Sequence, residues 1–185
     1  MSFSYKNIDG SLVLLAKNEE GYKNLIRLSS ELYLSNNNEK LSLNYLSRFN
    51  EGLILLSGGY GGLINNFLTH GRKKDAVETI KDLNSLFKSR FYIEIQRMGK
   101  DDFENDILHF ANDNKLPVVA SNSIFFESKD KFISHDALLA IKNSTVINNL
   151  NREKLTSEFY FKSPDEMVEL FSDIPQALQL SLIHI

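Results

Sequence analysis

The chain has 185 residues, a formal net charge of -3 and no cysteine, so disulfides and thiolate metal sites are excluded. An apolar fraction of 42% excludes a disordered chain, and the slight acidity gives no reason to expect a nucleic-acid surface. No apolar run approaches the ~20 residues of a membrane span, and MSFSYKNIDG lacks the basic start and apolar stretch of a signal peptide, so a soluble cytoplasmic protein is expected.

The first predicted strand is Leu12 to Ala16, a short continuous apolar run of the kind buried in parallel sheets. Asn18 is placed to cap the next helix, whose apolar face is expected to carry Tyr22, Leu25, Ile26, Leu28, Leu32 and Tyr33. A polar loop, Ser35 to Lys40, and a short helix, Leu43 to Phe49, follow.

The second strand, Leu53 to Leu56, runs into Ser57-Gly58-Gly59-Tyr60-Gly61-Gly62, the only glycine-rich loop in the chain. Its backbone N–H groups offer a weak anion option, but the loop lacks the Lys-Ser/Thr ending of a P-loop. Leu63 to Leu68 reads as a helix stopped near Gly71. Ala76, Ile80, Leu83 and Phe87 mark another at regular spacing, and Arg72-Lys73-Lys74 reads as its solvated start. The third strand is Phe91 to Ile95, followed by Gln96-Arg97-Met98-Gly99 and a helix with Phe103, Ile107, Phe110 and Ala111 on one face.

The fourth strand, Pro117 to Ala120, ends in Ser121-Asn122-Ser123, then Phe125 and Phe126, then a helix carrying His135-Asp136. Strand, loop, helix is the order in which α/β enzymes place chemistry, beyond the carboxyl ends of parallel strands. The alternation implies parallel strands joined by right-handed crossovers. After Ile141 the pattern changes: residues 143 to 152 are irregular, Ser163-Pro164-Asp165-Glu166 is a helix start, and Asp173-Ile174-Pro175 opens a last helix.

Six segments, LLAKNEEGYKNLIRLSS, NEGLILLSGG, RFYIEIQRMG, LPVVASNSIFF, HDALLAI and FYFKSPDEMVELFSDIPQAL, in this order and spacing, resemble the polymerase-and-histidinol-phosphatase (PHP) domain of the alpha subunit of bacterial DNA polymerase III. Only Met1 to Asp9 and Ser181 to Ile185 look unlike it. The fold implied is α/β: a section of a distorted β/α barrel with a helical C-terminal extension. Residues 1–142 would be the PHP-type domain and 143–185 the extension towards the polymerase palm. The resemblance implies the later part of that domain, truncated at both ends. The His-x-His motif that opens the family's barrel and the palm carboxylates that bind magnesium for nucleotidyl transfer would lie outside it, so no cofactor is expected for this chain itself.

Metal-binding members of the family gather His, Asp, Glu and sometimes Cys at the barrel mouth, where a metal-bound water becomes a nucleophile. Their loop after the fourth strand usually reads Asn-Asp-x-His. Here it reads Asn122-Ser123-Ile124-Phe125, so Ser123 replaces a carboxylate and Phe125 an imidazole. Gly59 stands where a Cys is common and Ser11 where a His is often found. Without those donors a family-type metal cluster is not expected.

Glu94, Arg97, Asn122, His135 and Asp136 are the residues of any residual site. Each also has a structural reading. Glu94 and Arg97 would make a buried contact between strands. His135 and Asp136 would be a hydrogen-bonding pair on a helix surface, pointing away from an apolar face of Ile133, Ala137, Ala140 and Ile141. His70 lies at a helix end, His109 off its helix's buried stripe and His184 in the tail.

The function implied by the resemblance is DNA replication, with this region a scaffold that has lost its metal site. It would support the polymerase core and dock the proofreading exonuclease, the epsilon subunit, within the replicase holoenzyme. DNA would be reached only through polymerase regions elsewhere. The rival reading is a free-standing PHP phosphoesterase. An unpaired strand edge would invite self-association.

Overall fold

The computed structural model describes residues 1–34, 40–99, 103–149, 151–152 and 154–183, with the side chains of 180–183 left out. Most of the loop expected at Ser35 to Lys40, and His184, lie outside the described residues. The chain divides into two units: residues 1–94 with 103–119, and residues 95–102 with 120–185.

The first unit opens with a hairpin absent from the sequence reading. β1 (Ser2–Tyr5) pairs antiparallel with β2 (Ile8–Ser11) across Lys6 and Asn7, both at positive φ. β4 (Leu41–Ser42) adds in parallel to the other side of β1. The second sheet has the order β3-β5-β6-β7, built from β3 (Val13–Ala16), β5 (Leu53–Leu56), β6 (Phe91–Ile95) and β7 (Val118–Ala120). β5 and β6 are parallel, as alternating strands and helices require. β3 departs from that expectation and runs antiparallel to β5, with Val13 opposite Leu56 and Ala16 opposite Leu53.

The helices of this unit are α1 (Glu19–Leu34), α2 (Leu43–Arg48), α3 (Leu63–Thr69), α4 (Lys73–Phe87) and α5 (Glu104–Asp113). On α4 the predicted stripe of Ala76, Ile80, Leu83 and Phe87 is buried. On α1 the expectation fails in part. Leu28 is buried, but Tyr22, Ile26 and Tyr33 are exposed, and Gly21 and Asn24 face inward instead. The cause is local. Asn18 Oδ1 caps the Gly21 N–H at 2.9 Å, and Asn24 Nδ2 donates to the Glu51 carbonyl at 2.9 Å. Gly21 lies so close to Gly52 that a Cβ would stand 1.9 Å from its carbonyl oxygen. Polar anchoring to one turn, not the broadest apolar stripe, sets the rotation of this helix.

The second unit contains α6 (Phe132–Lys142), α7 (Pro164–Leu170) and α8 (Pro175–Ile183). Its core is Met98, Phe126, Leu155 and Phe159, with Phe132, Leu139 and Tyr160 packed against it. The helix start expected at Ser163 is present as a full capping box with Pro164 in the first turn. On α6 the expectation fails in part: Ala140 is buried as expected and Phe132 and Leu139 pack on the core, but Asp136 faces inward and Ile133 and Ile141, 76% and 74% exposed, do not. No helix among the described residues is long and apolar enough to cross a membrane.

Candidate functional site

In the first unit, the carboxyl end of β5 passes directly into the glycine turn. Gly58, Gly59 and Gly61 have φ of 93°, 47° and 73°, in the left-handed region that favours glycine. A Cβ on Gly58 would come within 2.2 Å of the Ser11 carbonyl oxygen. The turn is tied to its surroundings. Ser11 donates from both its N–H and its Oγ to the Gly61 carbonyl, at 3.0 and 3.2 Å. Asn65 Nδ2 donates to the Gly59 carbonyl at 2.9 Å. Glu94, on β6 and buried, accepts the Gly58 N–H on Oε2 at 3.1 Å, while its own N–H donates to Ser57 Oγ at 2.9 Å.

Ser11, Gly59 and Glu94 therefore belong to one arrangement, and its hydrogen bonds organise a turn. The carboxylate of Glu94 serves the peptide backbone. Any side chain at Gly59 would have to stand on left-handed backbone.

In the second unit, the residues after β6 and β7 form a polar chain. Gln96 Nε2 donates to Ser121 Oγ at 2.9 Å, and Ser123 Oγ donates to Gln96 Oε1 at 3.3 Å. Asn122 Nδ2 donates to the Tyr160 carbonyl at 2.7 Å. Phe125, 55% exposed, stacks at a tilt on Phe159 and His135, with centroids 5.5 and 5.7 Å away.

His135 is not the surface residue expected. Its ring packs 5.4 Å from Phe126 as well, and its Nδ1 is buried with no hydrogen-bond partner among the described residues. Nor do His135 and Asp136 pair on the helix surface. Asp136 is buried and meets Arg152 in a two-point contact, Oδ1 to Nη1 at 2.6 Å and Oδ2 to Nη2 at 2.5 Å. The Arg152 guanidinium holds the Asp136 carboxyl below the usual carboxylate range.

Arg97 makes the second such contact. Its guanidinium grips Asp173 at 2.6 and 2.7 Å, donates to the Leu170 carbonyl and lies 4.9 Å over the Phe171 ring. This lowers the Asp173 pKa in turn. Sequence reasoning missed Arg152 and Asp173, which lie 16 and 76 positions from their partners. It also missed Lys162, a buried lysine over the Tyr160 ring that donates to the Glu158 carbonyl, its pKa lowered by desolvation.

A divalent metal needs several oxygen or nitrogen donors converging on one point. The donor chemistry here does not fit that need. Ser11 and Ser123 spend their hydroxyls on a carbonyl and an amide, Gly59 has no side chain and Phe125 offers a hydrocarbon ring. Among the described residues, no group of three or more His, Asp or Glu side chains could hold a metal ion.

The family description of the PHP domain matches residues 2–98, so Met1 to Asp9, expected to lie outside the resemblance, fall almost wholly within it. The chain is 35% identical over 178 residues to the DNA polymerase III subunit alpha of Caulobacter vibrioides, covering 93% of this chain and 16% of that protein. It is 37% identical to that of Borreliella burgdorferi over 174 residues and 38% identical to that of Vibrio cholerae over 179, covering 91% and 92% of this chain. It spans only 15% of either relative.

Proposed function

The chain belongs to the PHP domain family and corresponds to the PHP region of DNA polymerase III alpha subunits; from that premise we propose that it serves bacterial DNA replication as a PHP scaffold without hydrolytic chemistry. One observation carries the reading. In the loop after β7, the hydroxyl of Ser123 is engaged by Gln96 and the ring of Phe125 packs on Phe159, so the loop is held by its own side chains. The same holds at the glycine turn, where Glu94 braces backbone.

On this reading residues 1–142 form the PHP portion and 143–185 an extension, the protein works in the cytoplasm, and its partners are those of the replicase. The proofreading exonuclease is the specific partner we assign to the scaffold.

The test is an assay of the purified chain with manganese or zinc on single-stranded DNA and on a simple aryl phosphate. No metal-dependent hydrolysis is expected above a chelated control. Cleavage that chelation abolishes, and that Glu94→Gln or His135→Ala weakens, would overturn the scaffold reading in favour of a phosphoesterase. Co-purification with the exonuclease subunit tests the partner separately.

A further inference from the structure

We propose that α7 is a strap fastened at its two ends by polar clasps, and that it opens on its own while α6 and the core around Phe159 stay folded. This goes beyond the replication reading and does not rest on it.

The starting observation is a helix with little to hold it. α7 has seven residues, well below the ~12–15 at which an isolated helix becomes even marginally stable. Short helices ordinarily persist by burying one face. None of the residues of α7 is buried, and Val168 is 56% exposed, whereas α4 buries a stripe from Ala76 to Phe87. Its last turn contains no basic residue, and Glu169 there opposes the helix dipole.

What fastens the helix lies at its ends. At the start, the Glu166 carboxylate accepts the Tyr160 hydroxyl on Oε1 at 2.6 Å and the Ser163 N–H on Oε2 at 2.8 Å. One side chain thus closes the capping box and ties the first turn to the segment before it. At the far end, the missing cation is supplied by another element. Arg97, in the loop after β6, donates to the carbonyl of Leu170, the last residue of the helix, and grips both carboxylate oxygens of Asp173 just beyond. The same guanidinium lies over Phe171, which is fully buried and is the anchor that remains when the strap opens.

Both clasps are charged and reach solvent. Asp173 is 60% exposed, and Glu166 is exposed. Salt screens such contacts and leaves the burial of Met98, Phe126, Leu155 and Phe159 in place. Opening of α7 is therefore separable from unfolding of the core beneath it.

Hydrogen exchange of the full chain, read by mass spectrometry on peptic peptides, tests this. Peptides covering 164–172 should show protection at least ~10-fold below those covering 132–142. Asp173→Asn and Tyr160→Phe should each lower protection in 164–172 by about 10-fold, the loss of one hydrogen bond to a charged group, and leave 132–142 unchanged. Raising sodium chloride from about 0.05 to 1 M should do the same to the unaltered chain and act less on Asp173→Asn. Arg97→Lys, which keeps the charge without the two-point grip, should fall between the unaltered chain and Arg97→Gln. Should Arg97→Gln not fold, Asp173→Asn at its exposed position still decides. Exchange of 164–172 in step with 132–142 in every chain overturns the proposal, because α7 would then open only with its surroundings. Protection in 164–172 that is indifferent to Asp173→Asn, Tyr160→Phe and salt overturns it as well, because the clasps would then not be what holds the strap.

Discussion

At the scale of single residues, the structure shows what each position has been committed to. Gly58 combines a φ of 93° with a 2.2 Å approach to the Ser11 carbonyl. Gly58→Ala is therefore expected to cost about 2–3 kcal/mol through strain and displacement of the turn, measurable as a lower urea midpoint at unchanged slope. Asp136→Asn leaves the Arg152 guanidinium without its counter-charge, and its effect on the melting midpoint should exceed that of Asp173→Asn, whose aspartate is largely exposed. That Ser123 and Phe125 bring a hydroxyl and a hydrocarbon ring to their loop was legible in the sequence, because chemistry follows residue type. The partners of Asp136 and Arg97 were not, because a two-point ion pair needs only spatial proximity and leaves no spacing in the chain.

Secondary elements were legible where local signals dominate. The capping box at Ser163, the regular stripe of α4 and the short strands β5 and β6 follow from residues within one or two turns of each other. Ser163→Ala should cost about 1 kcal/mol, a typical loss for an N-cap, read from thermal melts. The rotation of α1 and α6 was not legible, because periodicity identifies the apolar face but not the competing polar anchor. Asn18 and Asn24 anchor the first, while in the second Phe132, Leu139 and Ala140 turn inward beside the Asp136–Arg152 contact. The segment before α7 carries a titratable device of its own. Tyr160 donates to Glu166 at 2.6 Å, which pushes the phenol pKa up to about 12. A raised phenol pKa adds stability while the unfolded phenol is still protonated. That contribution should fade between the unfolded value near ~10 and about 12. Tyr160→Phe should flatten the alkaline limb of a stability–pH curve in that window.

For the molecule as a whole, the two-point contacts at Asp136 and Asp173 contribute to the acid limit, alongside Glu158, Glu166 and the other carboxyls that their partners hold below the usual range. Both aspartates have folded pKa values below the usual range, so their stabilisation is complete above the unfolded value of ~3.9 and is lost as pH falls through the folded values. Acid unfolding followed by tryptophan-independent probes, since the chain has no tryptophan, should begin below about pH 4. It should shift upward in Asp136→Asn. At this scale the alternation of strands and helices correctly gave an α/β fold, whereas the antiparallel direction of β3 was hidden. A strand's direction depends on which sheet edge it reaches, and four apolar residues read the same either way.

The hydrogen bond from Ser123 to Gln96 binds the fate of this loop to the strand end beside it. An Asp at 123 would set a carboxylate opposite the Gln96 amide oxygen, and the amide would have to turn over, leaving Ser121 Oγ to donate where it now accepts. Any ligand-bearing substitution here would thus rearrange three side chains together. Such a loop behaves like a keystone arch: no one piece can be exchanged without the others shifting.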